Sequence, residues 1–295
     1  MFYMTGFADE VSPNIDVQIR ATKELGWKHI EARGLFAHNK NIASVSDAEF
    51  DELCEKLSAA GITVNCYGSA IANWQHPITE PPDSSYEELQ KAIPRLRRLG
   101  TKMIRVMSFR VDPELKPRSW EFEPEVIKRV THLAKMAEDA GLLLVHENCN
   151  NWGGLSFEHT LRLVDQVKSP AFKLVFDTGN PVFNDDVRSG APYHKQSSWE
   201  FYKHVRDFVA YVHIKDGRMV DGKPVFTFAG EGDGDVPLIF ADLAKRGYDG
   251  GFSIEPHMGA IFHDDSFKTS DQYRYENYVE YGRRCEAMLR KLYGC

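Results

Sequence analysis

The stretch PEVIKRVTHLAKMAEDAGLLLVHE, Pro124–Glu147, decides the fold. Pro124–Ala140 carries the apolar spacing of a helix. Gly141 then ends it, because glycine takes the left-handed backbone of a helix C-cap without steric cost. Leu142–Glu147 follows at once as a short apolar run ending in an acid, the pattern of a strand buried on both faces. The same order recurs along the chain. A helix opening at Asn14 stops at Gly26, Phe50–Ala60 at Gly61, Tyr86–Leu99 at Gly100 and Val236–Arg246 at Gly247. Helix, glycine and strand in direct succession imply right-handed parallel crossovers rather than hairpins.

Eight runs read as strands: Thr5–Ala8, Lys28–Ala32, Thr63–Tyr67, Met103–Ser108, Leu142–Glu147, Phe172–Asp177, Val209–Ile214 and Gly251–Glu255. They recur about every 37 residues, which divides the 295-residue chain into eight strand–helix units. An open doubly wound sheet would bring a GxGxxG turn after its first strand, and none is present. The expected fold is therefore α/β, a (β/α)8 TIM barrel. It fills residues 1–295 as a single domain, with a helical tail from about residue 270. That tail, with Asp264, Asp265 and the tyrosines 273, 275, 278 and 281, is expected to pack outside the barrel or against another subunit.

Composition narrows the function classes. Forty-three acidic against 36 basic residues give a formal charge of −7, which argues against nucleic acid as a partner. No apolar run approaches the length of a membrane span. MFYMTGFADE, at the start, lacks the basic and apolar regions of a signal peptide. The five cysteines (Cys54, Cys66, Cys149, Cys285, Cys295) form no CxxC, so neither a disulfide framework nor a thiolate zinc site is expected. A cytoplasmic location follows as the expectation.

Barrel enzymes carry their chemistry where strands end. Glu147 ends LLLVHE, Asp177 ends KLVFD, His213 lies in AYVHI and Glu255 ends FSIE. They stand 30, 36 and 42 residues apart, about one unit each. Four adjacent strands would thus bring two glutamates, an aspartate and an imidazole to one end of the barrel. Burying such carboxylates is costly, and a divalent cation relieves that cost. The donors suit Mn2+, Mg2+ or Co2+, with Zn2+ also compatible.

GFADEVSP, HIEARG, HEN, FDTGN, VHIKD and GYDGGFSIEPH, in that order, resemble the xylose isomerase-like TIM-barrel superfamily, the sugar phosphate isomerase/epimerase family. The resemblance covers nearly the whole chain and is strongest from Glu147 onward. It implies one divalent ion, often manganese, on Glu147, Asp177, His213 and Glu255. It also implies that Glu147 and Glu255 are the catalytic pair of an isomerase or epimerase acting on a small-molecule sugar. Such chemistry removes and returns a proton beside a carbonyl, through an enediolate stabilised by the metal and the two glutamates.

Neighbouring residues are candidates for substrate binding. Lys215 could polarise a hydroxyl or pair with Asp216. Arg218 is near the place of a substrate-binding arginine in ketose 3-epimerases, and a solvated loop arginine is the plainer reading. His257 could reach the barrel mouth. Asn180 stands where epimerases often carry histidine, and an amide cannot shuttle protons near neutral pH. Glu31 reads as an ion pair with Arg33 or as an orienter of a ligand, and His146 as packing. Trp74, Trp152, Phe109 and Phe183 offer an apolar wall. GEGDGDVP (Gly230–Pro237) reads as a rim with Asp235 capping the next helix. The runner-up function is a keto-sugar or inosose dehydratase. An apurinic endonuclease and a non-catalytic sugar-binding barrel are weaker alternatives. A homo-oligomer is compatible with the sequence.

Overall fold

The apolar runs become strands close to where the sequence places them. The computed structural model describes residues 2–37, 40–259, 261 and 269–295; Asp264 and Asp265 lie outside them. In chain order the elements are β1 (Tyr3–Gly6), α1 (Ile15–Glu24), β2 (His29–Ala32), α2 (Asp47–Ala60), β3 (Thr63–Gly68), α3 (Asp83–Leu99) and β4 (Met103–Val106). Then come α4 (Glu123–Asp139), β5 (Leu143–Glu147), α5 (Phe157–Val167), β6 (Phe172–Asp177), α6 (Asn180–Phe183), α7 (Ser198–Val205) and β7 (Val209–Ile214). The chain finishes with β8 (Gly217–Val220), β9 (Lys223–Phe226), α8 (Val236–Lys245), β10 (Gly251–Ile254) and α9 (Asp271–Tyr293).

Eight strands pair in parallel in the order β1-β10-β7-β6-β5-β4-β3-β2. An isolated parallel bridge between Phe7 and Glu31 spans the remaining seam. The result is a nearly closed TIM barrel with its helices around it. The predicted glycine stops hold: Gly26, Gly61, Gly100, Gly141 and Gly247 all have positive φ.

Two features depart from the sequence reading. The C-terminal helix α9 packs against α1 and α8, in the place of the barrel's eighth helix rather than outside it. Its Tyr278, Val279, Tyr281, Cys285 and Leu289 are buried, so half of the aromatic stripe is core, while Tyr273 is exposed. The second departure is the antiparallel hairpin β8–β9, which the strand reading omits. Asp221 and Gly222, both at positive φ, make its tight turn, and this Asp-Gly pair was the available signal. No helix among the described residues is long and apolar enough to cross a membrane.

Candidate metal centre

Strand alternation sends every second side chain of β5, β6 and β7 into the barrel. Asp177 is the ladder partner of His213, and Glu147 that of Val175. Glu255 follows β10, and its N–H donates to the Ile214 carbonyl over 2.9 Å. Register alone therefore delivers all four residues to the C-terminal end of the barrel. One donor atom from each of Glu147, Asp177, His213 and Glu255 lies within 4.8 Å of the others, and all four residues are buried. Asn148, next to Glu147, fixes β5 to β6. Its amide donates to the Asp177 carbonyl over 3.0 Å, and its oxygen accepts the Asp177 N–H over 2.7 Å.

The donor set fits a cation. His213 Nε2 sits 3.1 and 3.2 Å from the two oxygens of Glu31, while Nδ1 has no hydrogen bond. Asp177 Oδ1 accepts from the Gly179 and Asn180 N–H groups over 2.8 and 2.7 Å. Its Oδ2 accepts no well-aligned hydrogen bond, although Lys215 Nζ comes within 3.0 Å. Two buried hard donors thus lack hydrogen-bond partners within one cluster, the arrangement that a bound divalent ion would satisfy.

Charge around the cluster is unbalanced. Asp9, Glu10, Glu31, Glu147, Asp177 and Glu255 are buried carboxylates, against Arg33, Arg105 and Lys215 as buried bases. Arg105 Nη1 donates to Glu147 Oε2 over 3.0 Å, and Asn180 Nδ2 to Glu147 Oε1 over 2.9 Å. Arg33 Nη1 donates to Glu255 Oε1 over 2.6 Å, and Lys215 Nζ to Oε2 over 2.8 Å. Burial pushes carboxylate pKa values up. At Glu147 this is outweighed by Arg105 and His213, which bring it down to about 2. At Glu255, burial is outweighed by Lys215, His257 and Arg33, which hold it well below the usual range. Asp177 goes the other way, to about 6, through burial and the charges of Glu255 and Glu147, despite Lys215. Both oxygens of Glu147 and of Glu255 are tied to donors, whereas Asp177 carries the excess negative charge.

Above the cluster opens a cavity of about 230 Å3. Lys215, Asn180 and His257 line it as expected, and so do Arg33 and Arg105, which the sequence reading passed over. Arg105 was visible as a charge inside an otherwise apolar strand, Arg33 as the base after HIEA. Arg218 does not line it; this exposed residue donates to the Glu231 carbonyl. Of the four aromatics, Trp74 and Phe183 join Pro224 and Phe226 of the hairpin in an apolar wall. Trp152 and Phe109 are fully buried in the core.

Several local readings are corrected. Lys215 pairs with Asp177 and Glu255, not Asp216. Asp216 accepts four backbone N–H groups, from Gly217, Gly230, Gly232 and Gly234, over 2.7 to 3.1 Å. The alternating glycines of GEGDGDVP thus cradle an anion that the chain itself supplies. A Cβ at Gly234 would come within 2.8 Å of Asp216 Oδ1. Asp235 begins α8 without capping it; its carboxylate accepts the Trp199 N–H over 3.1 Å. Glu31 binds His213 and the Tyr211 hydroxyl, which makes it an orienter of a candidate ligand. His146 is buried packing, bonded to Ser108 and Asn151.

Comparison with known proteins agrees with this architecture. The inosose dehydratase of Bacillus thuringiensis (strain Al Hakam) is 25% identical over 205 residues, 60% of this chain and 64% of that protein. The match therefore spans less than two thirds of that relative. The structure of D-psicose 3-epimerase with D-tagatose from Clostridium cellulolyticum H10 superimposes with a TM-score of 0.67 at 16% identity, covering 100% of both chains. The IOLI protein with a bound zinc atom gives 0.71 at 14% identity, also over 100% of both. Residues 19–275 match the family model described as xylose isomerase-like TIM barrel. The chain belongs to the xylose isomerase-like TIM-barrel family.

Proposed function

We propose that this chain is a divalent-metal-dependent isomerase or epimerase of a monosaccharide or sugar derivative, with Mn2+ as the first metal to test. The observation that carries the reading is the meeting of Glu147, Asp177, His213 and Glu255 at one end of the barrel, beneath a cavity of sugar size. These four residues would hold the ion. When bound, it would polarise the carbonyl and the adjacent hydroxyl of a ketose and make the neighbouring C–H more acidic.

The protein's own groups do the rest. Glu147 is held ionised by Arg105 and His213, and Glu255 by Lys215, His257 and Arg33. Both are in the form that can take a proton, and because their lowered pKa values weaken them as bases, the acidified C–H is what the step depends on. One removes the proton beside the carbonyl and the other returns it. Lys215, Asn180 and His257 face the substrate's polar edge. Trp74, Phe183 and Phe226 cover its C–H face and exclude water. Arg218 stays outside this set.

A dehydratase acting on a keto-sugar or inosose is the second reading. It draws support from the curated relative named inosose dehydratase and from Asn180, an amide that cannot relay the proton an epimerase histidine can. Both reactions begin with the same proton abstraction. Incubating ketoses and inososes with the Mn2+-loaded protein in D2O separates them. Deuterium gained beside the carbonyl with the carbon skeleton intact marks isomerisation, whereas loss of water marks dehydration. Neither exchange nor loss of water with any of these substrates counts against both.

A further inference from the structure

A second cluster of donors shares Glu255 with the first. Glu10, Glu255 and His257 each bring a ligand atom within 4.8 Å of the others, and all three are buried. Two adjoining clusters joined by one carboxylate have the layout of a two-cation centre with Glu255 between the ions. Here an arginine meets both carboxylates of that second position, while His257 Nδ1 lies 2.8 Å from Glu10 Oε1. Arg33 Nη1 donates to Glu255 Oε1 over 2.6 Å, Nη2 lies 3.5 Å from Glu10 Oε1, and Nε donates to Asp9 Oδ2 over 2.9 Å. Its guanidinium also lies 4.2 Å over the Phe7 ring. Three carboxylates and one aromatic face fix this charge in place, and an arginine does not lose its proton in a protein.

We infer that Arg33 is the second cation of the centre, an organic charge that occupies the Glu10–Glu255–His257 cluster and restricts the chain to one divalent ion. The inference rests on the proposed ion site at Glu147, Asp177, His213 and Glu255.

Charge supports it. The six buried carboxylates around the centre exceed the three buried bases by three. With Arg33 in place one divalent ion leaves the centre at −1 and a second would turn it positive, whereas without Arg33 the excess rises to four, which two divalent ions balance. Geometry supports it as well. Arg33 leaves the end of β2, so the backbone that places Glu31 beneath His213 also sets the guanidinium against Glu255. Without that charge, Asp9 would lose its cation, Glu10 would be left with His257 and Glu255 with Lys215, a set of buried carboxylates with the charge deficit that recruits a metal ion.

The test counts ions. The protein is stripped with EDTA and titrated with Mn2+, the free ion being followed by its EPR signal. Wild type takes up one ion per chain, Arg33→Ala two, and Arg33→Lys, which restores a charge, one. The pair in Arg33→Ala also gives a spin-coupled Mn2+ spectrum. Arg33→Gln keeps hydrogen-bond donors without charge, is titrated in parallel should the alanine variant not fold, and takes up two. Two ions in wild type, or one ion in every folded neutral variant, overturns the inference. No ion in wild type overturns the reading of the four-residue site itself, and this inference with it.

Discussion

His213 Nε2 lies 3.1 Å from Glu31 Oε2, and the Tyr211 hydroxyl donates to that same oxygen over 2.9 Å. All three side chains are fully buried, so the imidazole is held from behind and its Nδ1 faces the carboxylates. A partner that orients a ligating histidine and raises its basicity contributes roughly 10–100-fold to metal affinity. Glu31→Gln is expected to weaken Mn2+ binding by about that factor, with a smaller loss for Tyr211→Phe. Titrating Mn2+ into the stripped protein measures both; unchanged affinity in Glu31→Gln would remove Glu31 from the site.

The two glutamates make a separable prediction. Glu147→Gln and Glu255→Gln each remove a proton acceptor, and general acid–base groups contribute roughly 10²–10⁴-fold to rate. Each variant should lose turnover by that order at saturating Mn2+, a condition needed because both glutamates also belong to the ion site, measured as deuterium incorporation beside the substrate carbonyl in D2O. Asp177→Asn should instead lose metal first. Full exchange activity in Glu147→Gln would end the two-carboxylate mechanism.

How much of this was written in the sequence follows from what kind of signal each residue leaves. Glu147, Asp177, His213 and Glu255 were legible because register makes strand ends periodic, and an acid ending an apolar run stands out. Arg33 and Arg105 were visible as charges but not as site residues, because their role depends on contacts with residues of other strand ends, Glu255 and Glu147, that no local spacing encodes. Lys215 was legible as a site residue but not its partners: Asp216 is its sequence neighbour, yet the glycine amides take that carboxylate first. For α9 the aromatic stripe was visible, but whether it faced the barrel or solvent depended on the gap between α8 and α1.

Asp216 offers a test of how the cavity wall is held. Its carboxylate gathers the amides of Gly217, Gly230, Gly232 and Gly234, and so closes the loop that carries the hairpin over the cavity. In Asp216→Asn an NH2 group faces N–H donors, leaving buried groups unsatisfied at a cost of about 1–3 kcal/mol. The expected phenotype is a raised KM with little change in Mn2+ affinity, and faster proteolytic cleavage within residues 217–226. A variant whose KM and cleavage rate match wild type would show that the hairpin holds itself.

Acid stability should depend on a histidine remote from the centre. His159 is fully buried, bonded to the Ser119 and Ser156 hydroxyls and stacked on Trp120. Burial, the dominant cause, brings its pKa down to about 3. The folded protein therefore keeps the ring neutral while the unfolded chain takes up a proton below about 6.5. Because the unfolded state binds more protons there, stability falls as pH drops from 6.5 towards 3, by about 1.4 kcal/mol per pH unit from this group. Above pH 6.5 the group contributes no slope. His159→Gln sacrifices the stacking and lowers stability at pH 7, yet it removes this titration. Urea unfolding at pH 7 and pH 5 should show the wild type losing about 2 kcal/mol more than the variant over that interval. Equal losses in the two proteins would place the acid sensitivity of this interval elsewhere, in His146, which burial also brings down, to about 4.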